Sequence, residues 1–349
     1  MGSQIAYSGI SAKLKAMESR LLSPAQYEEL AGCSSVGDAV SYLKNLPAYS
    51  ACLAGYDSVN MHREQLERII SGSLHSDFIR LYKFANAGQK QFLNLYFLRF
   101  QIFLIKACFC SLFSIEKIEL DFSVIHDFFL KHTGIDLAVL GSSATISEFI
   151  SNTSNSSFYQ LLSSVSQQPD AGLAEYGMAL DTYYFTQFWK KAGKLLKNRD
   201  LEAIAAIYGT EIDMLNFMWI YRAKKYLKFT TGQIYSMIIP IHHKLKATQL
   251  TAMVEADSVE TLLAIVEDSY YGKFVPDDGH FSLEDIYYQL QDTVNDKISR
   301  KNPYSAAVIN EYLYKKENEC NRIISIIEGI RYGMDSDSIL ASTLHGGHI

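Results

Sequence analysis

The sequence contains little proline, little cysteine and no excess of positive charge. Only six prolines interrupt its 349 residues, so long helices can form over most of the chain. The five cysteines are an odd number without a CxxC pair, which is typical of a reducing compartment. Cys108 and Cys110 are two positions apart on a predicted helix, so they face different sides. The net charge of −6 argues against nucleic-acid binding, which depends on clustered Lys and Arg.

Sequence motifs of known catalytic chemistry are also missing. Gly193-Lys194 and Gly272-Lys273 lack the earlier glycine of a phosphate-binding loop, and no HExxH, GxSxG or GxGxxG occurs. His242 and His243 are adjacent and would point about 100° apart on a helix, which favours separate roles over a shared metal site. We therefore predict no catalytic, cofactor-binding or metal-binding residues, no cofactor, no nucleic-acid partner and no small-molecule substrate.

One apolar stretch raises the question of a membrane span. Residues 92–113 are long enough to cross a bilayer, but Arg99, Gln101 and Lys106 lie in the middle. A charged group there would cost about 3 kcal/mol, so we predict a soluble helix buried between other helices. Residues 1–10 lack a charged segment followed by an apolar run, so no signal peptide is predicted.

The sequence is rich in helical periodicity. Ser23-Pro24 is typical of a helix start, with an N-cap residue followed by proline at the first helical position. Period-two alternation bounded by turn residues is scarce, so an all-α fold is predicted. Composition predicts loops at residues 53–60, 151–171 and 275–280 and a mobile tail after Met334.

Two helical patterns recur about every 110 residues. The first places apolar residues at helical spacing and begins at Val36, Ile146 and Val259. The second is a long helix with two polar residues three positions apart. Its positions are Gln101 with Leu104 (where the second polar residue is lost), Asp213 with Asn216, and Asn318 with Asn321. Because positions i and i+3 share a helix face, such a pair can bond together to a neighbouring backbone. The recurrence predicts three similar helical repeats: residues 1–115, 116–232 and 233–349, the last with the mobile tail.

Three segments resemble a known family over nearly the whole chain. In residues 6–30 a Tyr is followed by a small-residue and basic helix that ends in Arg-Leu-Leu-Ser. In residues 36–50 a short helix is followed by Tyr49, and the closing helix carries Glu317, Asn321 and Arg322. These features resemble the C subunit of the bacterial and archaeal V-type (A-type) rotary ATPases, which is the homologue of the d subunit in eukaryotic V-ATPases.

This resemblance implies a fold and a function. The fold would be a funnel of three similar helical subdomains with pseudo-threefold symmetry. It would sit on the membrane proteolipid ring (the K, or c, subunits) and accept the tip of the rotor shaft formed by the D and F subunits. Such a central-stalk rotor protein is non-catalytic, cytoplasmic and peripheral to the membrane. It transmits the torque that couples ATP turnover to H⁺ or Na⁺ transport.

Two other functional classes stay open at this point. A helical-repeat scaffold or adaptor unrelated to rotary ATPases is disfavoured, because solenoid repeats span about 20–45 residues. An all-α enzyme with an aromatic pocket would need convergent acidic or metal-binding residues on facing helices. The 23 tyrosines and 19 phenylalanines are more typical of packing. The basic segments 190–199 and 222–228 are interpreted as solvated helix faces, with contact to a protein or to anionic lipid as the alternative.

Overall fold

The computed structural model of the chain describes residues 2–56, 61, 63–114, 121–168, 171–274 and 283–343. Within these ranges all regular secondary structure is helical, which confirms the predicted all-α class. The helices form two compact units. Unit 1 consists of Met1–Asn86, Ser123–Ile125 and Pro303–Ile349, and unit 2 consists of Ala87–Phe122 and His126–Asn302.

Unit 1 is built around one long helix from the carboxyl end of the chain. Its helices are α1 (Gly2–Glu18), α2 (Pro24–Ala31), α3 (Val36–Lys44), α4 (Ser50–Leu53), α5 (Arg63–Phe84), α17 (Ala306–Arg331) and α18 (Ser336–Ser342). The helix α17 packs against α5, α1, α2, α3 and α18. Buried side chains at helical spacing, such as Ile309, Leu313 and Ile323, give α17 the broad apolar stripe that this position needs. The start of α2 at Ser23-Pro24 is confirmed, with Ser23 and Gln26 forming a capping box.

A buried histidine should make the stability of unit 1 depend on pH. His75 of α5 is buried, and loss of hydration lowers the pKa of its imidazole to about 4. In the unfolded chain the His75 imidazole binds a proton near pH 6.5, whereas in the folded chain it binds one only near pH 4. The free energy of unfolding should therefore decrease by about 3 kcal/mol in total as the pH falls from 6.5 towards 4.

Urea unfolding at several pH values between 7 and 4 measures this effect against a His75→Gln variant. Carboxylates titrate in both proteins, so the difference between the two stability curves isolates the histidine. We expect the wild type to lose more stability than the variant on acidification. Parallel curves would show that His75 does not contribute in this way.

Unit 2 contains the middle of the chain. Its α-helices are α6 (Ala87–Phe113), α7 (His126–Thr133), α8 (Leu137–Gly141), α9 (Ile146–Ser151), α10 (Phe158–Ser166), α11 (Leu173–Leu195), α12 (Asn198–Arg222), α13 (Thr231–Met237), α14 (Ala247–Glu255), α15 (Val259–Glu267) and α16 (Leu283–Lys301). A π-helical turn at Ala223–Leu227 continues α12, and a 3-10 turn lies at Gly272–Phe274. Long helices pack in pairs, α6 with α11 and α12 with α16.

The apolar stretch at residues 92–113 lies in α6. Of the described helices, α6 has the length and composition to cross a membrane, and 56% of its most apolar window is buried within the structure. The two cations within residues 92–113 pair with acids of neighbouring helices. Arg99 lies 3.4 Å from Glu211 of α12, and Lys106 lies 2.8 Å from Asp181 of α11. Such pairing on two sides supports the interpretation of α6 as a core helix.

Aromatic rings fill the space around α6. Phe109 of α6 lies 4.4 Å from Tyr176 of α11 and 5.1 Å from Phe149 of α9, measured between ring centroids. Cys108 is buried beside this cluster and Cys110 is exposed, which confirms that the two thiols face different sides. These aromatic residues therefore pack the core, as the sequence predicted.

Two segments differ from the sequence-based prediction. The stretch 151–171, predicted as a loop from its serines, contains α10, whose Phe158 and Leu162 are buried. The tail after Met334, predicted as mobile, contains α18 over part of its length. Ile339 of α18 packs so closely on α17 that a Cβ at Gly329 would lie 2.6 Å from it. Hydrophobic residues at helical spacing within polar surroundings explain both corrections.

The predicted repeats correspond to real helices, while their grouping stays a prediction. The segments starting at Val36, Ile146 and Val259 form α3, α9 and α15. The long helices with polar pairs are α6, α12 and α17. The boundaries near residues 115 and 232 describe a repeat in the sequence, whereas the compact units group residues 303–349 with residues 1–86. The predicted loop at 275–280 and residues 344–349 of the tail lie outside the described residues.

Candidate functional site

A buried carboxylate of α12 binds an irregular segment of unit 2 by its backbone. Asp213 is almost fully buried, and its two oxygens accept hydrogen bonds from three consecutive amides. His243 N donates to Oδ1 at 2.9 Å, while Lys244 N and Leu245 N donate to Oδ2 at 2.6 and 2.9 Å. The hydroxyl of Tyr271 donates to the same Oδ2 at 2.9 Å. One carboxylate thus satisfies four donors.

The second polar residue of the pair, Asn216, binds the same segment one helical turn further on. Its Oδ1 accepts from Ile239 N at 2.7 Å, and its Nδ2 donates to Ile239 O at 2.9 Å. Gly209 allows the close approach of this segment, since a Cβ there would lie 2.5 Å from Cγ of His243. The prediction that Asp213 and Asn216 bond together to a neighbouring backbone is confirmed. We call Asp213, Asn216, Tyr271 and backbone 239–245 the Asp213 joint.

Unit 1 contains a similar arrangement on α17. Glu319 is buried, its Oε2 accepts from Leu22 N at 2.6 Å, and its Oε1 accepts from the hydroxyl of Tyr49 at 2.7 Å. Lys316, also buried, donates to Oε1 of Glu319 and to the Tyr49 oxygen, both at 2.8 Å. We call Glu319, Lys316, Tyr49 and the Leu22 amide the Glu319 joint. The sequence predicts Asn318 and Asn321 as the polar pair, but both are only half-buried, and the buried acid is Glu319, one position after Asn318.

The electrostatics of both joints keep the tyrosines as neutral donors. Burial, followed by the nearby negative groups, raises the pKa of Tyr49 well above its ordinary value. Burial and then Asp213 do the same to the pKa of Tyr271. Burial opposes the charge on Lys316, but negative neighbours that include Glu319 leave its pKa above the ordinary value. Each acid is therefore held by neutral phenols and amides, with one paired ammonium in unit 1.

The segments that the two acids bind have the same parts in the same order along the chain, although α17 follows its segment and α12 precedes its own. Leu22 and Leu245 each precede a short helix, α2 or α14. The next short helix, α3 or α15, begins after a serine N-cap, Ser35 or Ser258. The tyrosine follows that second helix. The acid in each case comes from a long helix, α17 or α12. Each joint thus fastens a pair of short helices to a long helix.

A third pair of short helices, α8 and α9, lacks the acid. The residue before α8 that corresponds to Leu22 and Leu245 is Ile135, whose amide donates to the hydroxyl of Thr133 at 3.1 Å. The neighbouring helix α6 contributes buried Leu104 at its predicted polar position, with Gln101 half-buried. In this region α6 approaches α8 through Cys108, whose sulfur lies 4.0 Å from Leu137 O. This third pair of short helices therefore meets its long helix at Cys108 and satisfies the Ile135 amide by a local hydrogen bond.

The joints suit mechanical attachment better than chemistry. The lone pairs of Asp213 are occupied by four donors, and Glu319 is enclosed by an amide, a phenol and an ammonium. Among the described residues no group of three His, Cys, Asp or Glu side chains is placed to hold a metal ion. His243 contributes its backbone amide to the Asp213 joint, and burial lowers the pKa of its imidazole. The site therefore consists of anchors between helices.

Comparisons with known proteins agree on one family. A family model described as ATP synthase (C/AC39) subunit matches residues 10–342. The chain is 21% identical over 347 residues to the C subunit of the A-type ATP synthase of Thermococcus kodakarensis, which covers 95% of this chain and 89% of that protein. It is 24% identical over 215 residues to the protein of the same name from Methanosarcina mazei, which covers 59% of this chain and 57% of that protein. A third match, from Methanosphaera stadtmanae, is 25% identical over 155 residues, 42% of this chain and 39% of that protein.

Proposed function

The chain belongs to the ATP synthase (C/AC39) subunit family, and from this we propose that it is the non-catalytic central-stalk rotor subunit of a V-type or A-type ATPase. In this role it links the membrane proteolipid ring to the shaft formed by the D and F subunits. It transmits the torque that couples ATP turnover to H⁺ or Na⁺ transport. It is cytoplasmic and peripheral to the membrane, as one part of a membrane-bound complex.

The observation that carries this proposal is the pair of carboxylate joints. A part that transmits torque has to hold its helices together under load. Buried, fully bonded carboxylates resist sliding of one helix past another, because sliding would leave charged oxygens without donors. The Asp213 and Glu319 joints provide such resistance in the two compact units. Asp213 accepts hydrogen bonds from four donors and Glu319 from three, which fits a structural role for both buried acids.

The pseudo-threefold funnel is part of the same proposal. The repeats at residues 1–115, 116–232 and 233–349 would each contribute one pair of short helices, α2 with α3, α8 with α9, and α14 with α15. Each pair begins the same way, with a buried apolar residue before its first helix: Leu22, Ile135 and Leu245. A socket with three related walls would suit a shaft that enters along a central axis.

Co-elution with the shaft tests the proposal. We expect the purified chain, mixed with the D and F subunits of its own complex at low salt, to elute with them as one species in size-exclusion chromatography. An unrelated acidic helical protein of similar size serves as the control and should elute apart. If D and F elute together while this chain stays separate in repeated trials, the rotor role is refuted. A general helical scaffold would then be the better description.

A further inference from the structure

One part of unit 2 has a charge opposite to that of the chain as a whole. Residues 214–254 contain six Lys or Arg residues and no Asp or Glu, although the whole chain has a net charge of −6. The cations are Arg222, Lys224, Lys225, Lys228, Lys244 and Lys246. Four of them lie at the end of α12 and in the turn that follows it. These four cations make the end of α12 locally basic, with Asp257 close to Lys224.

The backbone at the end of α12 has an unusual conformation. The helix continues into a π-helical turn at Ala223–Leu227, and Lys228 then adopts a left-handed conformation with φ of 53°. π-helical turns occur frequently at functional sites, and a lysine with positive φ is uncommon. The result is that Tyr226 and Leu227 stand in solvent, with 65% and 55% of their surface exposed.

The lysines of this turn divide into two kinds. Lys224 donates to Val254 O and Ala256 O, both at 2.7 Å, so it fastens the turn to the end of α14. Burial lowers its pKa, although Asp257 opposes that shift. Lys225 instead donates a hydrogen bond to the hydroxyl of Tyr221 and lies 5.2 Å from the ring centroid of Tyr226, and its side chain is exposed. Lys228 is exposed as well. We call Tyr221, Lys225, Tyr226, Leu227 and Lys228 the basic aromatic turn.

A purely structural role explains only part of these features. Cations near the carboxyl end of a helix interact favourably with its dipole, and Lys224 also holds two carbonyls. Neither effect requires exposed Tyr226 and Leu227 beside two further lysines. Exposed aromatic and aliphatic side chains between flexible cations are the mixture found where proteins lie on a membrane surface.

We propose that the basic aromatic turn binds the anionic headgroup surface of a lipid bilayer. Lys225 and Lys228 meet the headgroups as point charges on long stems, which suits a fluid array of phosphates better than a fixed geometry. Tyr226 and Leu227 enter the interfacial layer beside them. Because only these two side chains enter the bilayer, the contact between the turn and the membrane is weak and reversible. This contact is independent of the rotor role, since it needs no other protein.

Flotation with lipid vesicles tests the proposal on the isolated full-length chain. We expect it to float with vesicles of equal parts phosphatidylcholine and phosphatidylglycerol, to float much less with phosphatidylcholine alone, and to release at high salt. The double variant Lys225→Glu/Lys228→Glu should lower the affinity for the mixed vesicles at least about tenfold. The variant Tyr226→Ser/Leu227→Ser should also weaken binding, without any change in charge.

A matched charge variant tests whether vesicle binding depends on the basic aromatic turn or only on the net charge of the chain. Lys190→Glu/Lys194→Glu makes the same change in charge on the exposed end of α11 and should bind as the wild type does. Circular dichroism checks that all variants keep their helices. Absence of binding to the mixed vesicles, or equal loss in the two charge variants, overturns the proposal. If the turn variants impair co-elution with the D and F subunits and the wild type does not bind vesicles, the turn is a protein contact instead. Failure of the wild type to bind D and F, with vesicle binding intact, would refute only the rotor role.

Discussion

Replacing Asp213 by alanine should lower the free energy of unfolding by about 3–5 kcal/mol. The change removes the acceptor for three backbone amides and for the Tyr271 hydroxyl. Segment 239–245 would then keep its attachment to α12 through Asn216 alone among the residues of the joint. Urea unfolding followed by circular dichroism measures the loss, and hydrogen exchange should show faster exchange at residues 243–245.

The control for this experiment is the same substitution at a partly exposed aspartate of the same unit. Asp181 pairs with Lys106 at 2.8 Å, and about a third of each side chain is exposed. Asp181→Ala should therefore cost no more than about 1 kcal/mol. The loss of stability in Asp213→Asn should lie between those of the two alanine variants, because an amide retains one acceptor oxygen. Equal losses for Asp213→Ala and Asp181→Ala would contradict the idea that the joint anchors the segment.

Replacing Glu319 by alanine should have an effect of similar size for a different reason. The substitution leaves the ammonium of Lys316 buried without a carboxylate, and it removes the acceptor of the Leu22 amide and the Tyr49 hydroxyl. An unpaired buried charge costs about 3–5 kcal/mol. Thermal and urea unfolding should both show the loss, and exchange at the Leu22 amide should accelerate.

Two further variants test the explanation by an unpaired charge. The double variant Lys316→Met/Glu319→Leu removes both charges and should recover part of the lost stability, since a buried ion pair is often replaceable by apolar groups. Glu67→Ala breaks an exposed pair with Arg63 in the same unit and should cost about 0.5 kcal/mol or less. A double variant as unstable as Glu319→Ala would show that the hydrogen bonds, not the buried charge, dominate.

Local features of the fold can be predicted from the sequence where a residue pattern is compatible with only one kind of local structure. Ser23-Pro24 starts a helix because the Ser23 side chain suits the N-cap position and the fixed φ of Pro24 suits the first helical position. Asp213 and Asn216 stand alone as polar residues in an apolar stretch, so their common face and their backbone partners follow from spacing. On α17 several polar residues are consecutive, and periodicity cannot choose between Asn318 and Glu319. In the structure Glu319 is buried and Asn318 is only half-buried.

Other features depend on contacts between distant parts of the chain. Tyr49 and Glu319 meet across 270 positions, and no local pattern indicates that pairing. The sequence does not predict α10, whose serines are typical of loops, or α18, whose segment shows little periodicity. Both helices bury an apolar side chain in tertiary contacts, Phe158 and Ile339. The basic segment 222–228 was recognised from composition, but its exposed Tyr226 and Leu227 depend on a backbone turn that composition does not reveal.

The construction of unit 1 from both ends of the chain sets an order on its folding during synthesis. The helices α1 to α5 are synthesised well before α17, the long helix of the same unit. The amide of Leu22 cannot meet Glu319 until 297 further positions have been translated. Residues 87–302 can complete their own contacts in the meantime. Until α17 is synthesised, the apolar faces of α1, α2, α3 and α5 that pack on it stay uncovered, so the nascent chain exposes hydrophobic surface in this interval.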